Sequence, residues 1–266
     1  MRQVKQRFLA YGTAFGLRGG NRALRVDAAE RVRALGWTEA PGDDVAVEFA
    51  LTRRRSRDLN LPWSYDLQSG GELLRRTTNR DEFLDAFENH AKIQTAYHAK
   101  DRLFVHAGVV AWCGGGIVMP GRSHAGKSTL VKALVDAGAE YYSDEFAVID
   151  RKGRVHPFLV PISIRANAAQ PAMRTSVDAL NGRVGRAAVT IQLILVSEYC
   201  RGARWRPHVL SRAEAFLALM ENTVAARQPP ERTMPVLRQA VLSATSFRSR
   251  RGEAPAVARA LLAALG

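Results

Sequence analysis

Cysteine is scarce in this 266-residue chain: Cys113 and Cys200 are the two present. Neither stands in a C-x-x-C pair, which argues against a zinc ribbon or a disulfide framework and fits a reducing cytoplasm. Long apolar runs are also missing, and no stretch reaches the ~18 residues needed to span a bilayer. The opening MRQVKQRFLAYGTAFGL has the basic start and mildly apolar middle of a secretion signal. Tyr11, Gly12 and Thr13 interrupt it and no A-x-A site follows, so a first β-strand is expected there instead. There is no internal repeat and no low-complexity linker. Acidic residues number 25 against 39 basic ones, giving a net charge of +14. Such a surface favours anionic partners such as nucleotides, phosphates, acidic peptides or nucleic acid, without choosing among them. Lysine is rare within that basic set, with Lys5, Lys92, Lys100, Lys127, Lys132 and Lys152 the only six.

What is present is ordinary for a globular protein: 47% hydrophobic and 24% charged residues. Whole-chain disorder, collagen and coiled coil are excluded. The length suits one large domain or one domain with a small appendage. Residues 1–99 carry mixed signals. VAVEFAL, residues 45–51, alternates as a strand does. The basic run Arg53, Arg54, Arg55, Arg57 is expected to be a solvated turn. Asp81 to Tyr97 has helical spacing, with Phe83, Ala86, Phe87 and Ile93 on one side and acids early.

Signals sharpen from Leu103 onward. Residues 103–112 (LFVHAGVVAW) predict a strand, Gly114 to Gly116 a tight turn, and residues 117–119 a short buried strand. A loop over 121–128 leads into helical spacing over 127–137, which Gly138 is placed to end. Residues 146–149 and 190–197 predict further strands, with a turn at Lys152-Gly153. Ser211 with Glu214 three positions on is a capping box for a helix over 211–222. Residues 254–265 predict a closing amphipathic helix, whereas 236–243 has no clear pattern. Mixed strands and helices make the fold class α/β.

The segment Gly121-Arg122-Ser123-His124-Ala125-Gly126-Lys127-Ser128, followed by Thr129, fits G-x-x-x-x-G-K-[ST], the Walker A phosphate loop. Its glycines let successive N–H groups turn inward on a phosphate. The following helix adds its positive N-terminus. Lys127 is placed for the β- and γ-oxygens, and the Ser128 hydroxyl for Mg²⁺. Sixteen or so residues later comes the pair Asp144-Glu145, at the start of a predicted strand. Paired carboxylates beside a phosphate loop suit metal binding and proton acceptance. The four aliphatics that precede the acid in motor ATPases are absent. His106 lies within the strand before the glycine turn, where the plainest alternative role is a satisfied core residue.

Together these elements resemble the catalytic domain of HPr kinase/phosphorylase and its serine-kinase relatives. The run is Val105-His106-Ala107, Gly114 to Gly116, Gly121 to Ser128, and Ser143-Asp144-Glu145. Gly153-Arg154-Val155-His156-Pro157-Phe158 and Pro161-Ile162-Ser163-Ile164-Arg165 follow, and look like the relatives encoded with peptide-modification genes, lasso-peptide precursor kinases among them. The likeness is specific over about residues 100–170. It implies an HPr kinase C-terminal, phosphoenolpyruvate carboxykinase-like P-loop fold over 100–266. The small N-terminal α+β region, 1–99, would grip a substrate or partner. It further implies ATP and Mg²⁺ as cofactors, Asp144 as general base, and Glu145 as a metal ligand in place of the family's second Asp. His106 would orient phosphate or Asp144. His124 stands where the family usually has Gly. Arg122 and Arg165 are candidates for neutralising phosphate charge, Arg165 on the substrate side.

The expected function is therefore a Mg-ATP-dependent kinase acting on a hydroxyl, in a peptide serine or a small-molecule alcohol. The expected setting is cytoplasmic, with no membrane partner; the resemblance also allows a homo-oligomer. The alternative is a nucleotide-binding regulatory or scaffold protein without efficient phosphoryl transfer. A nucleic-acid role would rest on net charge alone, with no aromatic-interleaved motif to support it.

Overall fold

A computed structural model describes residues 4–55, 63–122, 125–164, 173–175, 179, 183–224 and 230–266. The chain divides into two compact units, Met1–Asp101 and Arg102–Gly266.

The first unit opens on a hairpin. Strands β1 (Gln6–Ala10) and β2 (Thr13–Arg18) are joined across Tyr11 and Gly12, both at positive φ, 50° and 77°. That two-residue left-handed turn matches the twist of its strands. It also places a second strand where the sequence suggested one. Helix α1 (Arg22–Arg33) follows, its first turn closed by Asn21, whose side chain accepts from the Leu24 N–H. Then come β3 (Thr38–Glu39), β4 (Val47–Arg55), β5 (Trp63–Ser69), β6 (Glu72–Thr77) and helix α2 (Arg80–His98). The sheet order is β3-β1-β2-β4-β5-β6, antiparallel except for the β2–β4 pair. Arg53, Arg54 and Arg55 are strand residues, opposite Tyr65, Ser64 and Trp63, not a turn. Arg57 lies outside the described residues. Their period-2 pairing is satisfied because Arg53 rests over the Trp63 ring and Arg54 over Asp66.

Asn79 caps α2 by accepting from the Asp81 and Glu82 N–H groups. Phe83, Phe87 and Ala91 of α2 are buried, as are Phe8, Phe15, Trp37, Phe49 and Leu67. Trp37 stacks on Phe15 at 4.3 Å and donates its Nε1–H to Thr95. Ile93, expected on the inner side, is on the exposed face.

The second unit is a larger mixed sheet. Strand β7 (Leu103–Trp112) turns through Cys113 and Gly114, φ 48° and 78°, into β8 (Gly115–Pro120). Gly115 and Gly116 therefore belong to the strand, not the turn. Helix α3 (Lys127–Asp136) follows the loop. Next are β9 (Glu140–Ser143), β10 (Phe146–Ile149), β11 (Arg154–His156), β12 (Ile162–Ile164), β13 (Met173–Thr175), β14 (Arg183–Val184), β15 (Val189–Tyr199) and β16 (His208–Val209). Helices α4 (Arg212–Glu221) and α5 (Pro230–Leu242), strand β17 (Thr245–Arg251) and helix α6 (Ala254–Ala264) complete the chain. The Ser211–Glu214 capping box is formed at α4. Helix α5 runs through the region whose pattern is unclear in sequence. Pro235 lies inside it and disguises the helical spacing.

Strand β7 pairs with β8, β8 runs parallel to β15, and β15 pairs with β11. Strands β11 and β10 pair, and β10 returns to β7, closing a ring of five strands. Alternate residues face opposite sides. Val110, Ile117, Met119, Leu193 and Leu195 pack with α3 and α6, through Leu130, Val131, Leu134, Val257 and Leu261. Val109, Val118 and Ile194 face the other way, with Leu219 of α4 and Leu237 and Ala240 of α5. Gly108 on β7 permits the close approach of α3. A Cβ there would stand 2.6 Å from Val131 Cγ2, so any side chain would push the helix off the sheet.

Candidate functional site

The G-x-x-x-x-G-K-S segment lies where a buried strand feeds a helix. Every residue of β8 is buried, and α3 begins at Lys127. The Gly121 N–H donates to the His106 carbonyl at 3.4 Å, tying the loop's start to β7. At its end Gly126 has φ 83°, a left-handed conformation that favours glycine. Residues 123 and 124 lie outside the described set, so the expectations for Ser123 and His124 do too. Ala125, Gly126 and Ser128 are half-buried, while Arg122 and Thr129 are exposed.

Lys127 is buried, and its ammonium folds back to donate to the Gly121 and Arg122 carbonyls, each at 2.7 Å. Burial pulls its pKa down from 10.5 to about 8, against the opposing pull of the Glu145 and Asp144 carboxylates. A cation held by two carbonyls can exchange them for phosphate oxygens at modest cost. His106 is half-buried. Burial, then the Lys127 charge, lowers its pKa, which keeps the imidazole neutral at neutral pH. Its ring packs against Phe146 at 6.2 Å, and its backbone N–H donates to the Asn222 carbonyl at 2.7 Å.

The acid pair sits at the bend between β9 and β10. Ser143 shapes that bend: its buried hydroxyl accepts from the Glu145 and Phe146 N–H groups at 3.1 and 3.0 Å. Asp144 is buried and Glu145 half-exposed. Asp144 Oδ2 accepts from the Ser163 N–H at 3.1 Å. Tyr141, wholly buried, donates to the Val160 carbonyl at 2.6 Å, with Asp144 Oδ1 at 3.4 Å as a weaker acceptor. Burial, then the Asp144 charge, pushes the Tyr141 phenol upward, so it stays protonated and available as a donor. Thus β12 and the Tyr141 hydroxyl together fix the carboxylate. Arg165, one residue past β12, lies outside the described residues.

The structure therefore brings His106, Asp144 and Glu145 within electrostatic reach of Lys127. The side chains that the sequence assigns to phosphate or metal, Ser128, Asp144 and Glu145, all offer oxygen. That set suits Mg²⁺, which binds through one or two carboxylates while keeping phosphate and water ligands. The roles of Tyr141, Ser163 and Gly108 are not legible in the sequence. Only the doubled Tyr141-Tyr142 before the acids hinted at the first.

No protein-family model matches the chain, and no curated protein matches it. Among solved structures, the HPr(Ser) kinase/phosphatase from Coxiella burnetii is similar over 61% of this chain and 95% of its own. The pair share 13% sequence identity, with a TM-score of 0.32. The chain is an α/β protein with mixed sheets, and among the described residues no helix is long and apolar enough to cross a membrane.

Proposed function

We propose that this protein is a Mg-ATP-dependent kinase that phosphorylates a hydroxyl, with the catalytic machinery in Arg102–Gly266. The carrying observation is a glycine-lysine-serine loop at a strand-to-helix junction, with Asp144 and Glu145 close enough to act on the Lys127 charge. On this reading the fold is of the HPr kinase C-terminal, phosphoenolpyruvate carboxykinase-like kind. The loop N–H groups and the N-terminus of α3 take the phosphates. Lys127 leaves its two carbonyls for the β- and γ-oxygens. Ser128 and Glu145 would hold Mg²⁺, whose charge would offset that of the transferred phosphoryl. Asp144, steadied by Ser163 and Tyr141, accepts the proton of the acceptor hydroxyl. Neutral His106 lines the pocket beside Lys127 without adding charge.

The N-terminal unit is assigned the acceptor or a partner. Its support is the strand bearing Arg53, Arg54 and Arg55, all three strongly basic and at least partly exposed.

Single-turnover mass spectrometry with Mg-ATP and a panel of peptide-serine and small-alcohol acceptors tests the reading. A gain of one phosphate on an acceptor, lost in Asp144→Asn, is the expected result. Failure of the wild-type protein to bind ATP overturns it.

A further inference from the structure

Behind the loop lies a cation that the kinase reading leaves unused. Arg251, the last residue of β17, is 1% exposed. Its Nη2 donates to the Gly126 carbonyl at 2.6 Å and its Nη1 to the Gly252 carbonyl at 3.0 Å. Among the described residues its buried Nε has no partner. Arg251 pairs directly with Tyr199 across the parallel β15–β17 ladder. The guanidinium lies over the Tyr199 ring, 5.5 Å from its centroid. The Tyr199 hydroxyl is anchored on Glu253 at 3.1 Å, and its backbone N–H donates to the Ala125 carbonyl at 3.3 Å.

Two consecutive loop carbonyls, of Ala125 and Gly126, are thus held from one side by residues at the ends of β15 and β17. A peptide whose carbonyl is held one way points its N–H the other way. This fixing orients the amides that follow Ala125 and Gly126, those at the start of α3. A Cβ on Gly126 would strike the Arg251 guanidinium, so the loop glycine and the arginine fit one another. A buried positive charge adjoining the loop also raises the potential felt by any anion bound there. Burial depresses the Arg251 pKa, against the opposing pull of the Glu253 carboxylate.

We propose that Arg251 is a positioning residue of the phosphate loop, held by Tyr199. It fixes Gly126 and supplies a buried charge that makes the loop bind polyphosphate. The proposal rests on the phosphate-loop reading of residues 121–128.

The test is calorimetric binding of inorganic triphosphate and of Mg-ATP to wild-type protein, Arg251→Met and Arg251→Lys, with the unfolding temperature of each. A packing role would favour Met over Lys in so buried a slot; a charge role reverses that order. The expected result is binding about 30-fold weaker for Arg251→Met, from a unit charge several ångströms away, with Arg251→Lys recovering most of the loss. Equal affinities for wild type and Arg251→Met, or tighter binding by Met than by Lys, would overturn the role of Arg251 while leaving the phosphate loop intact. Wild-type protein that binds neither probe would overturn the loop reading itself. Should Arg251→Met not fold, Tyr199→Leu decides. It keeps the charge but removes its platform, and the expected loss is about fivefold; unchanged affinity would overturn the proposal.

Discussion

Buried charge meets two environments: an ion pair at Asp66 of the N-terminal unit, as also at Asp150 of the C-terminal unit, and backbone carbonyls at Lys127 and Arg251 of the latter. In the N-terminal unit the buried acid Asp66 meets Arg76 through two hydrogen bonds, at 2.7 and 2.9 Å, with Arg54 at 3.7 Å. Glu88, also buried, meets Arg31 at 2.9 Å. Each sign is answered by its opposite, and the Arg76 guanidinium holds the Asp66 carboxyl below its ordinary pKa. In the C-terminal unit the buried cations Lys127 and Arg251 donate to backbone carbonyls instead. Carbonyls satisfy the N–H groups, and the Glu145 and Asp144 carboxylates on Lys127, and Glu253 on Arg251, act against the burial that lowers both pKa values. The first arrangement is an ion pair; the second, on the proposed reading, is where a phosphate would bind.

The largest effect expected from this contrast is chemical. Asp144→Asn should cut phosphoryl transfer by about 10³-fold while leaving ATP affinity within a few fold, as removal of a general base does. Single-turnover transfer alongside calorimetry separates the two. Next, Lys127→Met should weaken ATP binding by about 100-fold, the scale of a lost charge-assisted phosphate contact. It should not lower the unfolding temperature of the ligand-free protein, because it removes a desolvated charge.

The pH dependence follows from Lys127 and has two opposite signs. Burial pulls the Lys127 pKa of the free protein down to about 8, and a bound polyphosphate would hold the proton on to higher pH. ATP affinity should therefore be flat below pH 8 and fall by roughly tenfold per unit above it. Stability of the free protein moves the other way. The unfolded lysine keeps its proton up to its ordinary value of 10.5, so the folded state gains as pH rises between about 8 and 10.5. Calorimetry and thermal melts across pH 7–10.5, with Lys127→Met as the flat control, check both slopes.

Smaller effects probe structure alone. Asp66→Asn should cost the N-terminal unit about 2 kcal/mol, the scale of hydrogen bonds to a charged group, and leave ATP affinity unchanged. In wild type that contribution is present above the ordinary carboxylate pKa and lost as pH falls through the depressed one, so it fades in acid. Chemical denaturation at pH 7 and pH 3 measures it. Gly108→Ala should cost about 1 kcal/mol by crowding Val131 and shifting α3 against β7, read as a small loss in denaturation midpoint. Loss of ATP binding in Asp66→Asn would break the contrast between the two environments.

Much of this is legible in the sequence. The strand over 103–112, the strand over 146–149, the capping box at Ser211 and the closing helix all announce themselves through local periodicity. Elements failed to show where local signals conflict. Pro235 masks a helix whose buried face, Val236, Leu237, Ala240 and Val241, is evident only once it packs. Arg53 to Arg55 look like solvent turn until Tyr65, Ser64 and Trp63 are placed opposite them. Ile93 has helical spacing but falls outside the packed arc of α2.

By itself the sequence determined the phosphate-loop pattern, the helix behind it and the acid pair. Each is a short-range pattern, written in spacings of a few residues that follow from backbone geometry. Only the tertiary structure decided what holds them. Tyr141 and the Ser163 N–H reach Asp144 from β9 and from β12, 19 positions along the chain. Arg251 reaches Gly126 across 125 positions, because β15 and β17 run parallel and end beside the loop. No local propensity encodes such a meeting: it depends on which strands pair and in what register.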